Sequence, residues 1–553
     1  MTLSKSTTRC TMLLTLYVGS SYAANTADYS SQPFELPAES EILIVADTNG
    51  DGLRELITAL DDKIRVYFQA TDGFDFNTGF QEIELPGDAV GWDISTNYSQ
   101  QGNASIIALI DGVEVLVWQM EGDTIGPPET IISGLPGFLS KGSNRLHFSR
   151  DINGDAIEDL IIPGAGKLHL YIANGNREYR TGLSINSESR LRTNLDPGNL
   201  ERRTGQAIRI PMMELRDVNS DSFDDLISRT DERLDVFIAN QQAEAYFPAS
   251  PSYTLDIAQI EERLGDFDID NLDFSNLTGL LALTHEEILD DVDGDGIEDL
   301  LLREGSKVSL FGGTLNGMEL EQPRQVLRSG GNVLSTFLYD ENEDGLKDLW
   351  LWRIEPISVG DIFVWLALSG SVAIEAFIYP NEGERFSRRP SRKLTVELKF
   401  PSVIRLATSF QGLVEEARET QSSEVIPTSA ANIDSDISKA DLLVLINNQV
   451  NVFLNSIEPE ESNTDFLEGL DYSRQRDNYA INVREIIANI SISENPQLAR
   501  VDGQSADLIF NLDTEVENGD IIPVLLNDDT LDDVFVFTGY SSSHIQGILL
   551  LSK

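Results

Sequence analysis

One cysteine, four histidines and 40 basic residues against 92 acidic ones set the first limits on this chain of 553 residues. With Cys10 as its lone thiol, the chain has no disulfide framework even in an oxidising compartment. At this length the core is large enough to do without one. The shortage of lysine and arginine, a formal charge of -52, removes nucleic acid from the partners, because phosphate binding needs a basic surface. Histidine chemistry is equally thin. His147 and His169 sit in strand-like runs where a structural role is the ordinary one, and His285, in "THEEIL", lacks the second histidine of a zinc-protease helix. "GYSSSH", ending at His544, fails the Gly-x-Ser-x-Gly elbow, and no Gly-x-x-x-x-Gly-Lys phosphate loop occurs. Long hydrophobic runs are missing too. The nearest approach, "IFVWLALSGSVAIEAFIY" at 362–379, carries Glu375 and a Gly-Ser break and sits at the short limit for a span. It reads as an inserted helix and strand, with no membrane span.

The N-terminus places Lys5 and Arg9 before a short apolar stretch, followed by small residues at Ser21, Ala23 and Ala24. This is the pattern of a secretory signal peptide, residues 1–23, cleaved after Ala23. Cys10 falls inside the removed segment, and no small-residue lipobox precedes it. The expected location is therefore extracellular or periplasmic, and the mature chain, 24–553, contains no cysteine.

Acid is what the chain has in abundance, and it is patterned. "DVDGDGIEDL" sets Asp291, Asp293, Asp295 and Asp299 at positions one, three, five and nine of a loop bent at Gly296. A hard cation such as calcium takes six to eight oxygens at about 2.3 to 2.6 Å, which such a ring supplies with a backbone carbonyl, here that of Ile297, and water. An EF-hand closes with a glutamate at position twelve and leaves as a helix, whereas here position twelve is Leu302 and the exit reads as strands. An isolated Asp-Gly turn would be ordinary turn chemistry, but the pattern recurs. It returns as Asp47, Asn49, Asp51 and Glu55; as Asp151, Asn153, Asp155 and Asp159; as Asp217, Asn219, Asp221 and Asp225; and as Asp340, Asn342, Asp344 and Asp348. Each copy adds an apolar residue at seven and leucine at ten, constraints that a surface turn has no reason to repeat. Decayed copies hold Asn432, Asp434, Asp436 and Asp441 with one extra residue, and Asn527, Asp529 and Asp533; a third, at 91–110, has lost its acids. No metal is assigned to these three.

Around each loop an apolar strand enters and one or two more leave; near the N-terminus the runs are "EILIVAD", "ELITAL", "KIRVYFQA" and "FQEIELPG". Short runs rich in β-branched and aromatic residues between Gly, Asp and Asn predict antiparallel strands, and four strands per unit is the blade of a β-propeller. Loop starts at 47, 151, 217, 291 and 340, with decayed ones near 93, 432 and 525, predict seven or eight blades. Insertions are expected near 180–210, 250–288, 355–430 and 455–520, helical around "IAQIEERL". The early "QPFELP" is placed to complete the last blade and remove an open edge.

The recurring loop followed by Asp-Leu and a strand resembles the FG-GAP or VCBS repeat found in integrin α-subunits and secreted bacterial proteins. The Phe-Gly and Gly-Ala-Pro elements survive only as "LFGG" at 310–313 and "PGAG" at 163–166, so the VCBS-like branch is the nearer likeness. The resemblance implies an all-β propeller with Ca2+ at the blade loops; it transfers no biological role.

The function expected is a secreted, calcium-binding, non-catalytic module for a macromolecular partner, a protein or glycan. The competing reading is an extracellular polysaccharide hydrolase or lyase, its acids contributed by different blades. One departure from the acidic background is "RFSRRPSRK", with Arg385, Arg388, Arg389, Arg392 and Lys393. Such a run is ordinarily a solvated loop, and its other use is to receive an anionic glycan or partner.

Overall fold

A computed structural model of the chain describes residues 29–553 other than 38–39, 61, 97, 99–102, 175–177, 196–201, 241–244, 267–271, 403, 406–425, 435, 437, 458–469, 471, 484–495, 502, 513–515, 517–518 and 539–543. The expected leader at 1–23, with Cys10, lies outside the described residues. So do parts of the expected insertions and most of "GYSSSH".

The chain is mostly β, and eight sheets of four or five strands follow one another along the described residues. In the first, Glu41–Ala46, Glu55–Leu60, Lys63–Tyr67 and Phe80–Glu84 pair antiparallel in that order. Its second strand, "ELITAL", is buried along its whole length, as is "SIIALI" in the second sheet. Continuous apolar runs of this kind suit a strand covered on both faces. The other sheets are built from 89–145, 149–186, 212–256, 285–328, 332–400, 428–511 and 519–552.

Consecutive sheets share their cores. Ile57 and Val66 of the first pack with Trp92 and Ile106 of the second, and Ile107 and Leu109 of the second with Leu160 and Tyr171 of the third. The same stacking joins third to fourth, fourth to fifth, fifth to sixth and seventh to eighth. It also joins the eighth back to the first, through Phe535 and Leu549 against Leu56 and Tyr67. Sixth and seventh are linked by a strand instead. After Gln449–Ile457 of the seventh sheet the chain gives Asn478–Asn482 to the sixth, parallel to Arg392–Phe400, and then returns as Leu508–Asn511.

The first and last of the described strands meet. Tyr29–Pro37, which contains "QPFELP", pairs antiparallel with His544–Ser552 from Tyr29 opposite Ser552 to Pro37 opposite His544. This gives the eighth sheet its fourth strand and buries Phe34 and Leu36.

Inserted elements are few. Helix Ile257–Leu264 covers "IAQIEERL", with Asp256 as its N-cap accepting from Gln259 N at 2.8 Å. Hairpin Glu188–Leu195 with Arg202–Arg209 forms a sheet of its own. The run at 362–379 divides: Val359–Ala367 is a helix with a Ser358/Asp361 capping box, whereas Gly370–Tyr379 is the regular third strand of the sixth sheet. Among the described residues no helix is long and apolar enough to cross a membrane. His169 lies in a strand, with Nδ1 2.8 Å from Ser184 Oγ, but His147 lies in the connection after Gly142–Arg145.

Candidate functional site

All twenty residues of the five acid-rich loops are described, and each loop joins the first strand of its sheet to the second. One scheme builds them all. The position-one carboxylate accepts backbone N–H groups across the turn: Asp47 from Gly50 and Gly52, Asp151 from Gly154 and Ala156, Asp291 from Gly294 and Gly296. Asp217 and Asp340 do the same toward Ser222 and Gly345. Position three accepts from the N–H of five, as Asn342 does from Asp344 at 2.8 Å, and five accepts from the N–H of seven, as Asp295 does from Ile297 at 2.8 Å.

These contacts need left-handed backbone at positions four and six. Gly294 and Gly296 supply it at φ 80° and 87°, but Ala156, Ser220, Ser222 and Glu343 adopt it without glycine's freedom. Each such residue costs about 1 kcal/mol, so the loop geometry is maintained against local preference.

Position nine differs in kind. Asp159, Asp225, Asp299 and Asp348 are buried, and each takes two backbone N–H groups on separate oxygens. One comes from position two of its own loop and the other from farther along the chain, 14 residues onward for Asp159, Asp225 and Asp299 and 33 for Asp348. For Asp225 these are Val218 N at 3.0 Å and Ala239 N at 2.7 Å. For Asp159 they are Ile152 N at 3.0 Å and Ala173 N at 2.7 Å. The ninth acid therefore staples the loop to the end of the third strand. The decayed copies keep this staple: Asp441 holds Ile433 and Asn455, and Asp533 holds Leu526 and Ser552. Burial drives these carboxyls up, Asp159 to about 7 and Asp225 to about 6, with the neighbouring loop acids adding to the effect and the backbone N–H groups opposing it. Asp299 and Asp348 are raised for the same first reason.

The first loop uses glutamate at nine. Glu55 Oε2 accepts from Thr48 N and Thr48 Oγ1, both at 2.7 Å, while Oε1 is buried without a hydrogen-bond partner. Burial raises this carboxyl to about 7, despite the Thr48 hydrogen bonds, with Asp51 and Asp47 adding repulsion. A bare buried carboxylate oxygen costs several kcal/mol unless a proton or a cation meets it. The loop of the fifth sheet, residues 291–299 and called the fifth loop below, gathers charge most tightly. Carboxylate oxygens of Asp291, Asp293 and Asp299 all lie within 4.8 Å of one another, a set that does not include Asp295. In the other four loops position three is a neutral asparagine. Oxygen-only donors at this spacing, together with the orphaned Glu55 oxygen, fit a hard divalent cation. Asp291, Asp293 and Asp299 would hold one at the fifth loop, and Asp47, Asp51 and Glu55 at the first.

Two participants escaped the sequence reading. Arg324 pairs with Asp293 and brings Nη2 to 3.7 Å from Asp299 Oδ1, placing an internal cation at the edge of the fifth loop. Asn381 donates Nδ2 to Val292 O at 2.6 Å and to Lys347 O at 3.0 Å, tying the fifth loop to the sixth sheet's. Nothing in the spacing around either residue announces these contacts.

The loops also touch one another in series. Arg54 N donates to Leu526 O, Ala104 N to Asp47 O, Glu298 N to Val218 O and Asp532 N to Asn432 O. Loops of the seventh, eighth, first and second sheets, and of the fourth and fifth, are thus hydrogen-bonded neighbours.

A scan against protein-family models finds no match, and a search of curated proteins finds none. Among solved structures, the chain is similar to an Agrocybe aegerita lectin described as recognising non-reducing terminal N-acetylglucosamine, at 15% identity over 64% of this chain and 79% of that one, with a TM-score of 0.26. It is also similar to Saccharomyces cerevisiae Sqt1, at 9% identity over 95% and 98% with a TM-score of 0.28. BBS1N in complex with ARL6DN matches at 8% identity over 94% and 97% with a TM-score of 0.22. At scores this low these likenesses assign neither fold nor ligand to the chain.

Proposed function

We propose that the eight sheets are blades of one β-propeller, that its acid-rich loops bind Ca2+, and that the protein is a secreted, non-catalytic module that binds a macromolecular partner or glycan. The single observation that carries the metal reading is the fifth loop, where three carboxylates converge. The orphaned Glu55 oxygen supports it. The serial packing of the sheets and the pairing of the first described strand with the last support the propeller, and the leader-like N-terminus supports secretion. Bound calcium would supply charge neutralisation at the loops and so favour their folded form.

Two of the three strongly raised loop acids are accounted for without catalysis. Asp159 and Asp225 have both oxygens engaged by backbone N–H groups and are buried, so their raised values are explained by architecture. A catalytic acid or base must instead reach the proton it moves.

The test is thermal unfolding of the mature protein with excess calcium and with chelator, combined with measurement of bound metal. Calcium is expected to raise the midpoint, each site contributing about 0.4 to 1.4 kcal/mol at one to ten times its dissociation constant. An unchanged midpoint and no bound metal would remove the calcium reading. Product release from an extracellular polysaccharide would replace the non-catalytic reading with the hydrolase or lyase.

A further inference from the structure

Four arginines meet on a protein whose formal charge is -52. Arg324 and Arg328, on and just before the last strand of the fifth sheet, line one cavity of about 420 Å³ together with Arg385 and Arg388 from the turn that joins the third and fourth strands of the sixth. No aspartate or glutamate lines it. The contrast with the similar cavity at the first sheet, about 440 Å³, is complete: that one is lined by Asp72, Asp75 and Asp123 and by no arginine.

Local acids leave much of this charge unspent. Arg324 is turned toward Asp293 and Asp299, and Arg385 pairs with Glu382 at 3.3 Å in an exposed contact, of the kind worth little. Arg328 and Arg388 are exposed and have no carboxylate partner among the described residues. The end of the basic run behaves differently. Arg392 is engaged by Glu341 and Asp477, and Lys393 by Glu375.

The frame beneath is fixed. Gln325 clamps the arginine-bearing turn with both ends of its amide, Nε2 donating to Phe386 O at 2.7 Å and Oε1 accepting from Phe386 N at 2.8 Å. Phe386 is buried in the core shared by the fifth and sixth sheets. Ser387 N donates to Pro380 O, and Ser391 N to Ile378 O, closing the turn. Leu351 and Tyr379 give the cavity apolar surface as well as charge. Guanidinium forks match the planar carboxylate and the tetrahedral sulfate. The volume falls within the range of small-ligand sites.

We infer that this arginine-lined cavity between the fifth and sixth sheets binds an acidic saccharide unit, a sugar bearing a carboxylate or sulfate. Charge scale selects a small anion over a long polyanion. The arginines attract one or two oxyanions at short range, while the acidic surroundings repel an extended chain of phosphates. The inference deepens the binding-module reading and rests on it.

The experiment is calorimetric titration of the intact mature protein in calcium with tetragalacturonate, a sulfated galactan tetrasaccharide, neutral cellotetraose, inorganic sulfate and inorganic phosphate. At least one acidic tetrasaccharide is expected to bind, more tightly than either inorganic ion, and more weakly as salt rises from about 0.05 to about 0.5 M. Arg328→Ser and Arg388→Ser should each weaken it about tenfold, the loss of one charge-assisted hydrogen bond. Arg180→Ser, on the third sheet, should leave affinity unchanged, and equal melting midpoints should verify that all three variants fold. Failure of both acidic tetrasaccharides to bind, affinity indifferent to Arg328 and Arg388, or phosphate matching the saccharides would each overturn the inference. Tight binding of cellotetraose alone would overturn it while leaving a glycan-binding module standing, and the calcium melting test stands apart from all these outcomes.

Discussion

The five acid-rich loops and the two decayed ones at 432–441 and 525–533 differ at the mouth and agree at the base. At the mouth, Asp47, Asp151, Asp217, Asp291 and Asp340 place a carboxylate at position one, where the decayed copies have Asn432 and Leu525. At the base, Asp441 and Asp533 hold the same pair of backbone N–H groups as Asp159 and Asp225. Two jobs are therefore superimposed on one motif. The ninth acid builds the sheet, and the acids at one, three and five, together with an oxygen of the ninth, would serve a cation. A loop that loses the second job retains the first, because two buried N–H groups still need an acceptor.

The largest effect should come from the base, in both kinds of loop. Asp225→Ala and Asp533→Ala each strand two backbone N–H groups, and each should lower unfolding stability by about 2 to 5 kcal/mol in denaturant titrations. The loss at Asp533 should be the same in calcium and in chelator, whereas at Asp225 it should be larger in calcium. Equal calcium sensitivity at the two positions would collapse the distinction.

Changes at the mouth should be milder and metal-dependent. Asp291→Asn with Asp293→Asn should remove one calcium site, seen as one equivalent less of bound metal, and reduce the calcium-induced stabilisation by about 0.4 to 1.4 kcal/mol. In chelator the double variant should melt no lower than the parent, since it relieves carboxylate crowding around Asp291, Asp293 and Asp299.

Proton linkage distinguishes the two states of the loop. Glu55 and Asp159 are raised to about 7 and Asp225 to about 6, against ordinary values of 4.5 for glutamate and 3.8 for aspartate. Folded values above the unfolded ones mean that the native state holds extra protons in between. Their contribution is thus fully present below about pH 4 and lost as pH rises through about 6 to 7. In chelator, midpoints should fall across that window. Excess calcium favours the ionised acids and should flatten the fall. Midpoints that decline equally in both conditions would separate these acids from the metal.

The smallest effect concerns backbone. Ala156→Gly removes the left-handed penalty at φ 63° and should stabilise by about 0.5 to 1 kcal/mol in the same denaturant titration. Gly296→Ala, at φ 87° with Ser220 Oγ 2.8 Å from the added Cβ, should destabilise.

The loop spacing and the short apolar runs were legible because both are local. Positions one, three and five are fixed by turn chemistry, and "ELITAL" declares a buried strand by composition alone. The helix at Ile257–Leu264 was legible for the same reason. Contacts that depend on distant chain were not. The run at 362–379 was legible as helix and strand, but that Gly370–Tyr379 is a core strand of the sixth sheet and not part of the insertion depends on its long-range pairing. The second role of the ninth acid, stapling the sheet, was not legible, since the N–H groups it serves, such as Ala239's, lie fourteen residues on. Arg324 and the loan of Asn478–Asn482 to the sixth sheet are long-range facts without a local signature.

The eighth sheet unites the first described residues with the last: Tyr29 donates its hydroxyl to Asp532 O across 503 positions. During synthesis Tyr29–Pro37 is made long before its partner His544–Ser552, so it has no strand to dock on until that partner follows. Until then Phe34 and Leu36 lack the core that buries them. Deleting His544–Ser552 would therefore leave Tyr29–Pro37 unpaired as well.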